Sequence, residues 1–175
     1  GPGGEIDCVE VGVAGFGDSP RILLSCLGRF LMSPQGEPRE MKYGHFDAED
    51  RAFVVTDPVT PRPWINYLGN RRLTAFISQG GGGLLWHREP QCRRISRYHY
   101  IAPPGDRPGF YVYVLDRGTG DLWNPHFAPT CTPLDAWECR HSPGLTRMTG
   151  RKDGVEVRVS YCIPPADDVM LWRVK

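Results

Sequence analysis

Four groups of residues in this sequence have types and spacings that could do chemistry. Asp47, Glu49 and Asp50 stand within four positions of one another. A carboxyl pair does acid–base work when one member sits in an apolar pocket that holds its proton. These three fall in a polar tetrad, where a solvated turn is the expected setting. Cys139 and His141 are two apart, which puts them on one face of a strand. A thiol nucleophile needs a stabilised thiolate and a third group to orient its base, and nothing nearby supplies them, so a structural pair is expected. The glycine run QGGGG at 79–83 allows close backbone approach. It lacks the GK[ST] and strand-turn-helix setting of a phosphate cradle, so a strand-linking turn is expected. The fourth group is aromatic and polar: Trp64, Asn66, Arg97, Tyr98, Trp123 and Asn124. Rings stack on the apolar faces of pyranoses, and Arg and Asn bond sugar hydroxyls. Packing in a β core uses the same residues. The five histidines show no HxH or HExxH spacing and the six cysteines no CxxC spacing, so no metal site is indicated.

The elements that must position these residues are short strands. Two β-rich runs, 42–46 and 52–56, flank the polar tetrad 47–50 as a hairpin would. Asp57-Pro58, Pro61 and Pro63 then keep the chain extended up to WINYLGN at 64–70. A strand is expected at 73–78. Another is expected over 94–100, with Tyr98 and Tyr100 on one face; there Arg93, Arg94 and Arg97 read as a solvated strand face. Residues 110–115 read as a central strand covered on both sides, with Gly118 and Gly120 turning the chain into Leu122-Trp123. Strands at 137–141 and 145–148 flank Ser142-Pro143-Gly144. Asp153-Gly154 is a hairpin turn. Val155, Val157, Val159 and Tyr161 then alternate with Glu156, Arg158, Ser160 and Cys162, one face dry and one wet. Residues 169–174 make a last strand. The fold class is all-β, an antiparallel β-sandwich with little helix.

Composition agrees. The 175 residues fit one domain able to bury roughly 70% of its unfolded surface. Twenty-one Gly and 17 Pro favour strands and turns over long helices. A formal charge of +1, from 21 basic and 20 acidic residues, gives no electrostatic case for a nucleic-acid or membrane partner. No run reaches the roughly 20 apolar residues of a membrane span. The apolar run 22–32 is broken by Arg29 and lacks the flanks of a signal peptide. A chain this long needs no disulfide staples, so reduced thiols and a cytoplasmic location are expected.

Ordered blocks carry a resemblance. YGHFD (43–47), FVVTDPVTPRPWINYLGN (53–70), glycines ahead of RRISRYHY (93–100), DRPGFYVYVLDRGTGDLWNP (106–125), ECRHSPGLTRMTG (138–150) and VRVSYCIPPADDVMLWRVK (157–175) resemble the start of the cellobiose and chitobiose phosphorylases. After the glycines this chain has Leu84-Leu85-Trp86-His87 where the family has an aromatic pair. Residues 41–175 are thus expected to form the first part of a phosphorylase-type N-terminal sandwich. Residues 1–40 match nothing in the family and are an expression remnant, an over-extended gene start or a genuine extra arm, with room for a strand or helix at 21–32.

The resemblance implies a large sandwich, a helical linker and an (α/α)6 barrel that carries the catalytic Asp. In such an enzyme one carboxylic acid protonates the glycosidic oxygen while inorganic phosphate, the co-substrate, attacks the anomeric carbon from the opposite face. No catalytic residue and no cofactor is then expected in this chain. The implied partners are a disaccharide, the barrel of the same enzyme and a second subunit, since the sandwich packs on the barrel and takes part in dimerisation. Arg147, within a well-matched block, joins the sugar-binding candidates, although a fixed structural hydrogen bond would account for it equally. The competing reading is a freestanding carbohydrate-binding module. A module binds an oligosaccharide unaided, whereas a scaffold exposes an apolar patch where its barrel docks.

Overall fold

A computed structural model describes residues 42–97 and 108–175, together with the backbone of Ala14–Gly15. Every regular element among them is a strand: β1 (Ala14–Gly15), β2 (Gly44–Asp47), β3 (Ala52–Val55), β4 (Ile65–Gly69), β5 (Leu73–Ser78), β6 (Gly83–His87), β7 (Val114–Leu115), β8 (Leu122–Trp123), β9 (Ala136–Ser142), β10 (Leu145–Lys152), β11 (Val155–Cys162), β12 (Asp168–Val169) and β13 (Leu171–Val174). All pairings are antiparallel. The main sheet runs in the order β13-β11-β10-β9-β3-β2, a second sheet is β4-β5-β6, and β1-β12 and β7-β8 form two-stranded ribbons.

The two larger sheets face each other. Val55, Cys139, Met148, Val159 and Tyr161 from the main sheet meet Leu68, Leu73, Ala75, Ile77 and Leu85 from the second in one apolar cluster. The period-two pattern of β11 sets this up: Val157, Val159 and Tyr161 are buried, while Glu156 and Arg158 face water. Asp153 and Gly154 both take positive φ, 51° and 80°, in the two-residue hairpin between β10 and β11. Asn70 closes the β4–β5 turn, accepting the N–H groups of Arg72 and Leu73 on Oδ1. Its amide donates to the carbonyls of Pro164 and Asp167, which ties the turn to the loop before β12.

The glycine run is a turn. Ser78 N–H bonds Gly82 C=O, and Gly81 (φ 81°) N–H bonds Ser78 C=O. A Cβ on Gly81 would lie 2.9 Å from the His126 ring, so the bare backbone is what lets His126 pack there. Residues 108–110 cross over this turn, with Gly83 N–H on Pro108 C=O and Phe110 N–H on Gly81 C=O.

Three expectations are corrected. Residues 110–115 are not a central strand. Only Val114–Leu115 pairs, with β8, while Tyr113 and Leu115 are 49% and 58% exposed. The aromatic, β-branched composition fits a pleated surface but does not supply a neighbour, and at Phe110 the backbone is spent on the glycine turn. Residues 94–97 form no strand beyond a single bridge between Trp86 and Arg94, and 98–100 lie outside the described residues. The last strand is interrupted at Met170, whose side chain is buried in the core. The expected helix or strand at 21–32 also lies outside the described residues.

Candidate functional site

The structure disperses the sugar-binding candidates. Trp64 is half-buried, its ring edge-on to Tyr43 and Phe53 at 6.0 and 5.3 Å. Its N–H donates to Gln79 Oε1 (2.8 Å), and its carbonyl accepts from Gln79 N–H (3.1 Å). Trp123 is 4% exposed and belongs to the core. Asn124 is fully buried, and its amide donates to Ala128 C=O at 2.9 Å. Arg97 is exposed at the end of a described segment, and Tyr98 lies outside the described residues.

Asn66 and Trp64 do come together, but as parts of the fold. On the inner side of β4, the Asn66 amide nitrogen lies 2.9 Å from Ser142 O, 3.1 Å from Thr146 Oγ1 and 3.2 Å from Leu145 O. Thr146 Oγ1 is 3.0 Å from His141 Nδ1, and His141 Nε2 is 3.2 Å from Trp64 O. A carbonyl only accepts, so Nε2 carries the imidazole proton and Nδ1 accepts from Thr146. The bonds then run in one direction: Asn66 to Thr146 to His141 to Trp64. This chain fastens the small sheet to the β9–β10 hairpin. Burial lowers the His141 pKa to about 4 and pushes the Cys139 thiol, 3.6 Å from Nε2, well up. A neutral imidazole beside a protonated thiol is not a nucleophile pair.

A second buried imidazole works the same way. Tyr161 Oη donates to Phe110 O at 2.7 Å and accepts from His126 Nε2 at 2.5 Å. Burial lowers the His126 pKa to about 3. Its Nδ1 has no hydrogen-bond partner among the described residues.

Arg147 stands apart. It lines a recess of about 200 Å³ on the outer side of the main sheet, with Asp50, Arg51, Arg140, Ser142, Pro143 and Leu145. The carboxylates expected in a merely solvated turn take part here. Arg140 Nη1 bonds Asp47 Oδ2 at 2.7 Å and Asp50 Oδ2 at 3.0 Å, while Nε bonds Glu138 Oε1 at 2.7 Å. Asp47 Oδ1 also accepts the N–H groups of Glu49 and Asp50. Arg140, then the Asp50 N–H, hold the Asp47 carboxyl below its usual range, and Glu138 and Asp47 raise Arg140. Sequence pattern missed this cluster because its members come from positions some 90 residues apart, joined only by β3–β9 pairing.

Residues 50–175 match the sequence profile described as the glycosyl hydrolase 94 supersandwich domain. The chain is 34% identical over 136 residues to an N,N'-diacetylchitobiose phosphorylase of Vibrio proteolyticus, covering 77% of this chain and 17% of that protein. It is 31% identical over 139 residues to a solabiose phosphorylase of Paenibacillus borealis, covering 75% of this chain and 17% of that protein. A 3-O-beta-D-glucopyranosyl-beta-D-glucuronide phosphorylase of the same organism is 33% identical over 137 residues, 78% of this chain and 16% of that protein. The chain thus spans about one sixth of these relatives. Two facing antiparallel sheets and a profile match over most of the sequence give one answer: the chain belongs to the glycoside hydrolase 94 supersandwich family.

Proposed function

We propose that this chain is the N-terminal scaffold and dimerisation domain of an inverting β-glucoside phosphorylase, a cytoplasmic enzyme that converts a disaccharide and inorganic phosphate to a sugar 1-phosphate and a monosaccharide. The general acid and the phosphate ligands belong, on this reading, to a helical barrel elsewhere in the polypeptide. The observation that carries the proposal is the family match over residues 50–175, with phosphorylase relatives of which the chain spans about one sixth.

The surface supports a scaffold over a freestanding sugar-binding module. The outward side of the β4-β5-β6 sheet carries Ile65 and Tyr67, 45% and 62% exposed, beside Phe76 and Trp86. Tyr67 and Phe76 are inclined at 63° and Phe76 and Trp86 at 56°. These rings are tilted against one another, so they form an uneven apolar face rather than one flat platform. Leu115 and Leu122, opposite each other in β7–β8, are also more than half exposed. Apolar surface of this kind marks a protein contact.

Phosphorolysis tests the reading. Incubated with phosphate and cellobiose or N,N'-diacetylchitobiose, the 175-residue chain should release no sugar 1-phosphate, whereas the same chain within a polypeptide containing the barrel should release it. Turnover by the 175-residue chain would overturn the scaffold role.

A further inference from the structure

The recess beside Arg147 holds a guanidinium that has no ion-pair partner of its own. Arg140 is saturated by Glu138, Asp47 and Asp50. Arg147 lies directly opposite Arg140 in the β9–β10 register, a placement in which like charges repel. It has no ion-pair or hydrogen-bond partner among the described residues. Continuing across the sheet, Ser160 is opposite Arg147 and Arg173 is opposite Ser160. Trp172 and Val174 pack against the core, so Arg173 points to the same outer side as Arg147. It too is unpartnered among the described residues, and it is exposed. Two unpaired guanidiniums, about 10 Å apart at Cα by strand spacing, thus straddle a hydroxyl, and Arg51 lines the recess from the β2–β3 turn.

We propose that this recess binds an oxyanion, a carboxylate or a phosphate carried on a sugar-sized body. Arg147 and Arg51 hold the anionic group, Pro143 and Leu145 flank the uncharged part, and Asp50, engaged by Arg140, closes the far wall. Ser160 and Arg173 continue the polar row beside the recess rather than lining it. The proposal does not depend on the phosphorylase reading. The lining residues favour an anion over a neutral sugar. No aromatic ring lines the recess to stack on a pyranose, whereas the guanidinium fork matches the paired oxygens of a carboxylate or phosphate. The volume, about 200 Å³, is several times the ~30 Å³ share of one water molecule, so there is room for more than a bare ion. The site is open, and binding there is salt-sensitive.

Amide NMR shifts of the purified protein, titrated at constant ionic strength with inorganic phosphate, glucuronate and glucose, test this. Saturable shifts confined to the 50–51 and 140–149 segments are expected with phosphate, glucuronate or both, and the tighter of the two identifies the head group. Glucose should give none. Arg147→Gln, which removes the like-charge neighbour of Arg140 and should leave the melting temperature unaltered or slightly raised, should weaken binding roughly tenfold or more through loss of a charge-assisted contact. Arg62→Gln, an exposed arginine outside the recess, should not. The proposal is overturned if neither oxyanion saturates, if glucose binds as well, or if the two variants lose affinity equally.

Discussion

At the scale of single residues, the polar groups that look most like site chemistry hold the two sheets together. Asn66 shows what that is worth. Asn66→Leu fills the space but leaves the Ser142 and Leu145 carbonyls and Thr146 Oγ1 without their donor. Urea denaturation should show a loss of about 2 kcal/mol. A loss near zero would mean that water replaces the amide and that the residue is free for another role. The two buried histidines give the protein an acid sensitivity. Their folded pKa values, about 4 for His141 and about 3 for His126, lie below the ordinary 6.5. As pH falls, the unfolded chain therefore takes up protons before the folded one does. The stabilisation is complete above about pH 6.5 and declines toward pH 4 and 3 by up to about 1.4 kcal/mol per pH unit for each imidazole. Urea midpoints between pH 7.5 and 4.5 should fall with a slope approaching two protons. A flat profile to pH 5 would contradict neutral burial of the pair.

At the scale of elements, the glycines separate turns that tolerate a side chain from strands that do not. Gly154 has φ 80° with nothing within 4 Å of an added Cβ, so Gly154→Ala should cost only about 1 kcal/mol of backbone strain. In Gly83→Ala the Cβ would lie 2.2 Å from Phe76 O and 2.7 Å from the Phe110 ring. The β5–β6 pair and the segment crossing it must move apart, at about 3 kcal/mol or more. Paired melting curves check the ranking, and equal effects would contradict the packing of 108–110 over this turn. The same elements show what sequence made legible. Strand periodicity and turn residues located β2–β5 and the β9–β10–β11 meander closely, because local alternation and Asp-Gly chemistry set them, whereas β6 after the glycine turn was not read as a strand. They misread 110–115 and 94–97, where composition favours a strand but backbone partners come from distant turns. The recess was legible only through Arg147, since its charge balance depends on Asp47 and Asp50 reaching Arg140 across the β3–β9 junction.

At the scale of the whole molecule, the parts describe a domain with business on its outside. The interior is closed by the cluster between the sheets and by two directed hydrogen-bond chains, Asn66–Thr146–His141–Trp64 and His126–Tyr161–Phe110. The outside presents an aromatic face on the small sheet and an arginine-lined recess on the large one. The proposed scaffold role would use the first and the proposed anionic ligand the second. The measurement that bears most directly on the scaffold role is the intact mass of the natural polypeptide that contains this sequence. The proposed scaffold role requires a chain several times longer than 175 residues, in which a helical barrel with a catalytic carboxyl accompanies the sandwich. A natural polypeptide that ends at Lys175 would contradict it.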